Sequence, residues 1–269
     1  INTVLNDAVS YYQKLEQEWN TTFIQQQDCY RQLNIDQQTK WAQKIKHPDY
    51  ESYMSHELGT FPHNRKGAQH VIKIKPTYVV QPLILLDHFT AFFKSKNCFK
   101  QTTFDEANCH IAADHIRYQD FITKKIIFCI GYKMSSLSWF SHYDVAHVKG
   151  ETLTLKSLKP SIDYVTQGKE WIVPCNNEYK VGATYDKELT QEPTLKGKRY
   201  LEDSVTSLGF SGYQIIRHES GIRCVSKQHQ PFIGWHDHDQ RIGIFSGFGS
   251  KGFLTIPHLL NGFDKYVTL

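Results

Sequence analysis

The 269-residue sequence has no Cys-x-x-Cys pair, no block of like basic charge and no apolar run long enough to span a bilayer. Its six cysteines, Cys29, Cys98, Cys109, Cys129, Cys175 and Cys224, lie far apart. That spacing suits neither a zinc site nor a disulfide framework, and reduced thiols in a cytoplasmic protein are expected. The formal net charge is only +4, without a basic stripe, which argues against nucleic-acid and membrane-surface partners. The longest apolar stretch, Tyr78 to Leu86, is interrupted by Gln81 and Pro82. The first residues, INTVLNDAVSYY, lack a basic segment followed by an apolar one, so no secretory signal is read. They also lack a starting Met, and a processed or truncated form of a longer reading frame is expected. Finally, no Gly-x-Gly-x-x-Gly opens a helix near the N-terminus, where that motif would hold the pyrophosphate of a dinucleotide.

What is present is core-forming material. The hydrophobic fraction is 40%, with 15 Tyr, 16 Phe and 5 Trp, enough for one large domain or two medium ones. Val9, Tyr12, Leu15 and Trp19 recur at helical spacing and predict a helix over Asn6–Trp19. A strand and turn are predicted over Thr22–Leu33, and a short helix over Asp36–Ile45 with Asp36 as its N-cap. Residues His47 to Lys66 are polar and punctuated by Pro48, Gly59 and Pro62, with Gly67 just beyond, which predicts a loop. A strand follows over His70–Lys75, then a helix over Leu83–Phe93 opened by Pro82.

Short alternating pieces over Phe99–Phe121 predict a β-meander, and Lys124–Gly131 reads as a strand buried on both faces. Further β segments are predicted at His147–Leu155, Trp171–Pro174, Tyr179–Thr184, Tyr213–Ser220, Gly221–Val225 and Arg241–Ser246. Helices are predicted at Tyr200–Leu208 and Lys251–Tyr266, with a turn or short helix at Ser135–Ser141. This mixture defines an α/β or α+β fold whose middle is mostly antiparallel.

Two segments carry chemistry. Gly247–Phe248–Gly249–Ser250–Lys251–Gly252 joins a strand to a helix, and its glycines permit a sharp turn and close approach to a ligand. The first amides of the helix that follows favour negative charge. Such a turn either cradles an anion or ring edge or simply connects two elements. Arg223 sits on an apolar stretch, where an unpaired guanidinium is costly, so a fixed anionic partner is expected. That partner is either an internal carboxylate or the carboxylate of a substrate.

Six motifs in order then resemble the D-amino-acid oxidase superfamily of FAD-dependent amine and amino-acid oxidases. They are Val148–Lys149–Gly150–Glu151, Trp171–Ile172–Val173–Pro174, Val181–Gly182–Ala183–Thr184, Gly221–Ile222–Arg223, Pro231–Phe232–Ile233–Gly234 and the glycine turn with Pro257 beyond it. The sequence is most similar to the glycine oxidase branch and to the flavin domain of the bifunctional tRNA wobble-uridine enzyme, from about Lys124 to the C-terminus.

The resemblance implies a large mixed, mostly antiparallel substrate sheet joined to the C-terminal part of a Rossmann-like FAD domain. Residues 1–98 would form the N-terminal part of the substrate domain, 99–142 a meander and strand of the FAD domain, 143–220 the substrate sheet, and 221–269 the return to the FAD domain. It implies FAD as cofactor and an amine or amino-acid-like small molecule as substrate, oxidised at a C–N bond by hydride transfer. Arg223 would grip a substrate carboxylate, Trp171 would face the substrate, and Gly131 with Gly247, Phe248, Gly249, Ser250, Lys251 and Gly252 would lie at the flavin.

Cys224 stands where a proline commonly follows the arginine, and Gln228 where an acidic residue is frequent. Ser250 replaces a second arginine of the glycine oxidases, which leaves a small amino-acid substrate of that type open. Without the N-terminal fingerprint, this chain alone is not expected to bind FAD tightly. The alternative is therefore a cofactor-free substrate-domain fragment or pseudoenzyme without catalysis of its own.

Other chemistries are weaker. Trp235–His236–Asp237–His238–Asp239 lacks the helical spacing of a zincin pair and reads as an exposed turn, so no metal is assigned. Cys129 and Cys175 are expected to be inert thiols on apolar strands, and the serines at Ser135–Ser138 form no nucleophile elbow.

Overall fold

Capping and burial set the helices. The computed structural model of the chain describes residues 2–55, 58–62, 70–228 and 230–261. The first helix, α1, runs over Asn2–Trp19 and buries Ala8, Tyr12 and Leu15, one stripe of its surface. The next, α2, spans Ile35–Lys44, and its N-cap is Asn34 rather than Asp36. Asn34 and Gln37 form a reciprocal capping box, which satisfies two helix-end amides and leaves Asp36 in the first turn. A single turn, α3 (Pro48–Glu51), interrupts the predicted loop; Gly67 lies outside the described residues.

Pro82 does open α4, which covers Pro82–Ser95. The helix α5 is longer than expected, Leu195–Ser207, because the Thr194 hydroxyl accepts the Gly197 N–H and starts it five residues before Tyr200. The last, α6, is described over Gly252–Leu260, and the predicted extension to Tyr266 falls outside the described residues.

Thirteen strands complete the described fold. They are β1 (Ile24–Gln32), β2 (Val71–Val80), β3 (Cys109–Ile111), β4 (Ile116–Tyr118), β5 (Phe121–Thr123), β6 (Ile126–Phe128), β7 (Val145–Lys156), β8 (Val165–Gln167), β9 (Trp171–Cys175), β10 (Glu178–Gly182), β11 (Gln214–Ser226), β12 (Phe232–His236) and β13 (Asp239–Ser246). The fold is mixed α/β, as expected, with one large sheet and two small ones.

The chain forms two compact units. The first contains residues 1–23, 81–148 and 222–269, and the second residues 24–80 and 149–221. Residues 1–98 are thus divided between the units, with 24–80 in the second.

The first unit holds the β3–β4–β5 meander and a three-stranded sheet ordered β12–β13–β6, in which β13 and β6 are parallel. Its core gathers Ile116, Phe128, Met134, Phe140, Ile242 and Ile244. At the other end of the chain, the Tyr12 hydroxyl of α1 donates to the Phe253 carbonyl of α6 over 2.8 Å, and His258 meets Asp7 at 2.7 Å.

The second unit is built on a seven-stranded sheet ordered β11–β7–β10–β9–β8–β1–β2. The pairs β1–β2, β8–β9, β9–β10 and β7–β10 are antiparallel, whereas β1 and β8 are parallel. Leu153, Leu155, Ile172 and Val181 face Leu201, Val205 and Phe210 in its core. Burying each such side chain contributes about 1.5–3 kcal/mol.

Two strand readings change. The stretch Lys124–Gly131 is a strand only over Ile126–Phe128, and of these only Phe128 is buried. The near-continuously buried strand is instead β7, from Val148 to Leu155, and it carries Lys149 and Glu151 inside it. Tyr213–Ser220 and Gly221–Val225 are one strand, β11, because Gly221 adopts ordinary extended backbone there.

Candidate functional site at the ends of two parallel strands

In the first unit, Ile242, Gly243 and Ile244 of β13 pair with Ile126, Ile127 and Phe128 of β6. Both strands run the same way, so both chains leave the sheet at the same edge. In open α/β sheets this carboxyl edge is where ligands bind. Gly131 follows β6 and Gly247 follows β13.

Gly131 has φ +55°, and a Cβ built on it meets nothing within 4 Å. The space beside it is open, and its carbonyl accepts from the Ser246 hydroxyl at 3.4 Å. Gly247 has φ +81°, and a Cβ there would lie 2.6 Å from Phe232 Cδ2. Glycine is required at this position on both counts.

The rest of the turn rests on β11. The Gly249 amide donates to the Cys224 carbonyl over 2.9 Å, and Val225 pairs with Phe248 as an antiparallel bridge. Arg223 is therefore one residue from the strand position that holds the turn, although Arg223 and Gly247 are 24 positions apart in sequence. Gly247 is buried, Phe248 and Gly249 are half-buried, and Ser250 and Lys251 are exposed. Lys251 is the N-cap of α6 but makes no side-chain cap, so no side chain of the cap position occupies the first amides of that helix.

Arg223 is half-buried on β11. Among the described residues it has neither an ion-pair nor a hydrogen-bond partner. The internal carboxylate considered for it is thus not found there, and its charge is left for a ligand or for water.

The turn also has the Gly-x-Gly-x-x-Gly spacing between a strand and a helix. Its glycines do not play the roles of a dinucleotide fingerprint, however. A Cβ at Gly252 would make ordinary contacts of 3.6 Å with Ile256 and Phe248, so no close helix packing depends on that glycine. No strand follows α6 among the described residues to complete a βαβ unit.

Trp171 belongs to the second unit, where it opens β9 opposite Gly182. A Cβ on Gly182 would lie 2.9 Å from Trp171 Cζ2, so the indole lies over that glycine. It shares no unit with Arg223 or the glycine turn.

A second polar cluster, given no role by sequence reasoning, lies within the second unit. Lys149 and Glu151 are 1% and 2% exposed, and Lys149 Nζ is 3.2 Å from Glu151 Oε1. Glu151 also accepts from the Thr194 amide at 3.0 Å and the Thr194 hydroxyl at 2.9 Å, and meets His218 Nε2 at 2.8 Å. Lys149 donates to the Thr190 hydroxyl at 2.9 Å and to the Glu192 carbonyl. Burial pushes the Glu151 carboxyl up, but the bonds from Thr194, Lys149 and His218 outweigh it and hold the group below its ordinary value. The bonds of Lys149 to Thr190 and Glu192 and of Glu151 to Thr194 tie β7 to the segment before α5, and the bond to His218 ties it to β11, which marks the cluster as architecture.

The thiols of Cys129, Cys175 and Cys224 are all held above their ordinary value. Burial pushes Cys224 up, with partial opposition from hydrogen bonds to Ser246 and Gly247. Cys129 is exposed just past the end of β6 rather than buried on it, and Cys175 is half-buried on β9; desolvation raises both. The His236–Asp239 stretch forms the turn between β12 and β13, and no cluster of His, Cys, Asp or Glu among the described residues is placed to hold a metal ion. No helix among the described residues is long and apolar enough to cross a membrane.

No family model matches the sequence. Solved structures do match the fold. A glycine oxidase from Bacillus cereus superposes with a TM-score of 0.78 at 15% identity, over 98% of this chain and 81% of that one. An iminodiacetate oxidase from a Chelativorans species gives 0.77 at 15% identity, over 96% of this chain and 81% of the other. An L-alpha-glycerophosphate oxidase from Mycoplasma pneumoniae, solved with FAD bound, gives 0.72 at 13% identity, over 99% and 80%. The chain therefore has the fold of the FAD-dependent oxidoreductases of the D-amino-acid oxidase and glycine oxidase type.

Proposed function

We propose that the chain is the substrate-binding and ring-edge part of an FAD-dependent oxidoreductase that oxidises a C–N bond of an amine or amino-acid-like substrate. The observation that carries this reading is Arg223. A half-buried guanidinium without a partner among the described residues, one residue along β11 from the position that holds a positive-φ glycine turn, is suited to grip a carboxylate bidentately. On this reading the first unit is the flavin part and also carries Arg223, and the second is the rest of the substrate part. The resemblance assigns Trp171 a place facing the substrate, but the proposal rests on Arg223 and the turn alone.

The residues present fit the edge of a flavin ring. Open space at Gly131, the sharp backbone at Gly247 and Gly249, and the uncapped start of α6 would accept a flat group that gains negative charge. Gly131, Gly247 to Gly252 and the first amides of α6 are the groups proposed to hold it. The chemistry a bound flavin supplies is acceptance of a hydride from the substrate carbon. Arg223 orients the substrate through its carboxylate, and no residue of the turn is asked to move a proton.

The second reading is a cofactor-free fragment or pseudoenzyme. A titration of the purified chain with FAD separates the two. Uptake would appear as a bound visible flavin spectrum, which acetate should perturb. In Arg223→Met, acetate affinity should fall by at least about thirtyfold, the loss typical of truncating a desolvated charged contact. Uptake with unchanged acetate affinity in the variant sinks the role of Arg223. No uptake at saturating FAD favours the fragment.

A further inference from the structure

We infer that a cleft wholly within the second unit, beside the end of β1, is a binding site for a small molecule bearing a carboxylate or phosphate group. The cleft measures about 490 Å³ and is lined by Arg31, Asn34, Gln37 and Lys169, together with Gln32, Leu33 and Gly168. That volume is in the range of small-molecule sites and exceeds what a bare ion needs. Two cations and three side-chain amides, those of Gln32, Asn34 and Gln37, are among its lining residues, and no carboxylate is.

The fold assembles these groups from distant segments. Arg31 is aligned with Gln167 in the parallel pairing of β1 and β8, and Gly168 and Lys169 form the turn that leads into β9. Asn34 and Gln37 belong to the start of α2, immediately after β1.

Arg31 is the anchor. Its guanidinium carbon lies 5.1 Å from the centroid of the Trp41 ring, and Nη1 donates to Gln167 Oε1 over 3.3 Å. Nε is shielded from solvent and has no hydrogen-bond partner among the described residues. No carboxylate among the described residues pairs with this half-buried charge. A guanidinium placed over an indole, with one long bond to a neutral amide, is oriented yet short of a counter-ion.

The neighbouring donors are also uncommitted. In the capping box the Asn34 and Gln37 side-chain oxygens accept the Gln37 and Asn34 amides. Their side-chain nitrogens, which can only donate, have no partner among the described residues. Lys169 is exposed, with Nζ 4.1 Å from the Tyr200 ring centroid. The nearby acids are otherwise placed, since Glu170 accepts from Tyr200 and Asp36 is exposed in the first turn of α2. The field of the ten-residue helix α2 favours an anion at the same end. An oxyanion in the cleft would supply a counter-charge for Arg31 and Lys169 and an acceptor for the side-chain nitrogens of Asn34 and Gln37.

The test is calorimetric titration of the full chain at low salt with inorganic phosphate and, separately, with malonate. Saturable binding of either is expected, and the stronger of the two names the ligand class. Arg31→Gln should weaken it about tenfold or more, and Lys169→Gln by about two- to fivefold. Lys187→Gln, which removes an equal charge from an exposed loop outside the cleft, should leave affinity within about twofold. Should Arg31→Gln fail to fold, Lys169→Glu takes its place and should weaken binding about tenfold or more. Absence of saturable binding by both anions, or an equal loss in Lys187→Gln, overturns the proposal.

Discussion

Lys149 and Arg223 are both cations on long strands, and their surroundings are opposite. Lys149, in the second unit, is 1% exposed and bonded to Glu151, Thr190 and the Glu192 carbonyl. Arg223, in the first unit, is half-buried with no partner among the described residues and sits next to a glycine turn. Burial alone would rank Lys149 as the more unusual residue. Satisfaction ranks them the other way, because a fully bonded charge has no capacity left for a ligand. The contrast separates a charge used to hold a loop from a charge left for chemistry.

Removing a partner from the satisfied cluster should have the largest effect. Glu151→Ala leaves Lys149 buried without its counter-charge and also frees Thr194 and His218, so urea denaturation should show a loss of about 3–5 kcal/mol. A loss below about 1 kcal/mol would break the distinction between the two regions.

Acid should expose the same cluster more gently. The Glu151 carboxyl is held below its ordinary value in the folded chain, so the folded state binds its proton less readily than the unfolded state does. Its contribution is complete above the ordinary carboxylate value and is lost as pH falls through the lower folded value. In Glu151→Gln the acid limb of stability against pH should flatten; an unchanged limb would locate the acid sensitivity elsewhere.

Arg223→Met should have the smallest effect on folding, within about 0.5 kcal/mol and with either sign, since no protein bond is lost. A cost of 2 kcal/mol or more by the same denaturation would show that Arg223 is structural and would remove the contrast.

Local features were legible in the sequence because local chemistry sets them. Pro82 marked the start of α4, and the alternating pieces before Phe121 marked the meander. The glycine turn at Gly247–Gly252 was visible because positive φ selects glycine. The start of α2 was misplaced although its signal was present, as Asn34-x-x-Gln37 is a capping box and outcompetes the lone Asp36. The early start of α5 at Thr194 was likewise readable in principle. The short β6 was not, since an apolar run alone does not reveal where pairing with β13 ends.

The sequence by itself determined the mixed fold class, the motifs that point to the flavin oxidases and the identity of the candidate residues. Only the tertiary structure decided which charges are satisfied. Glu151 meets Thr194 and His218 across 43 and 67 residues of chain, and Gly249 meets Cys224 across a strand reversal. The physical reason is that a hydrogen bond depends on distance and direction in space, and neither is encoded in sequence spacing once the partners lie on different strands.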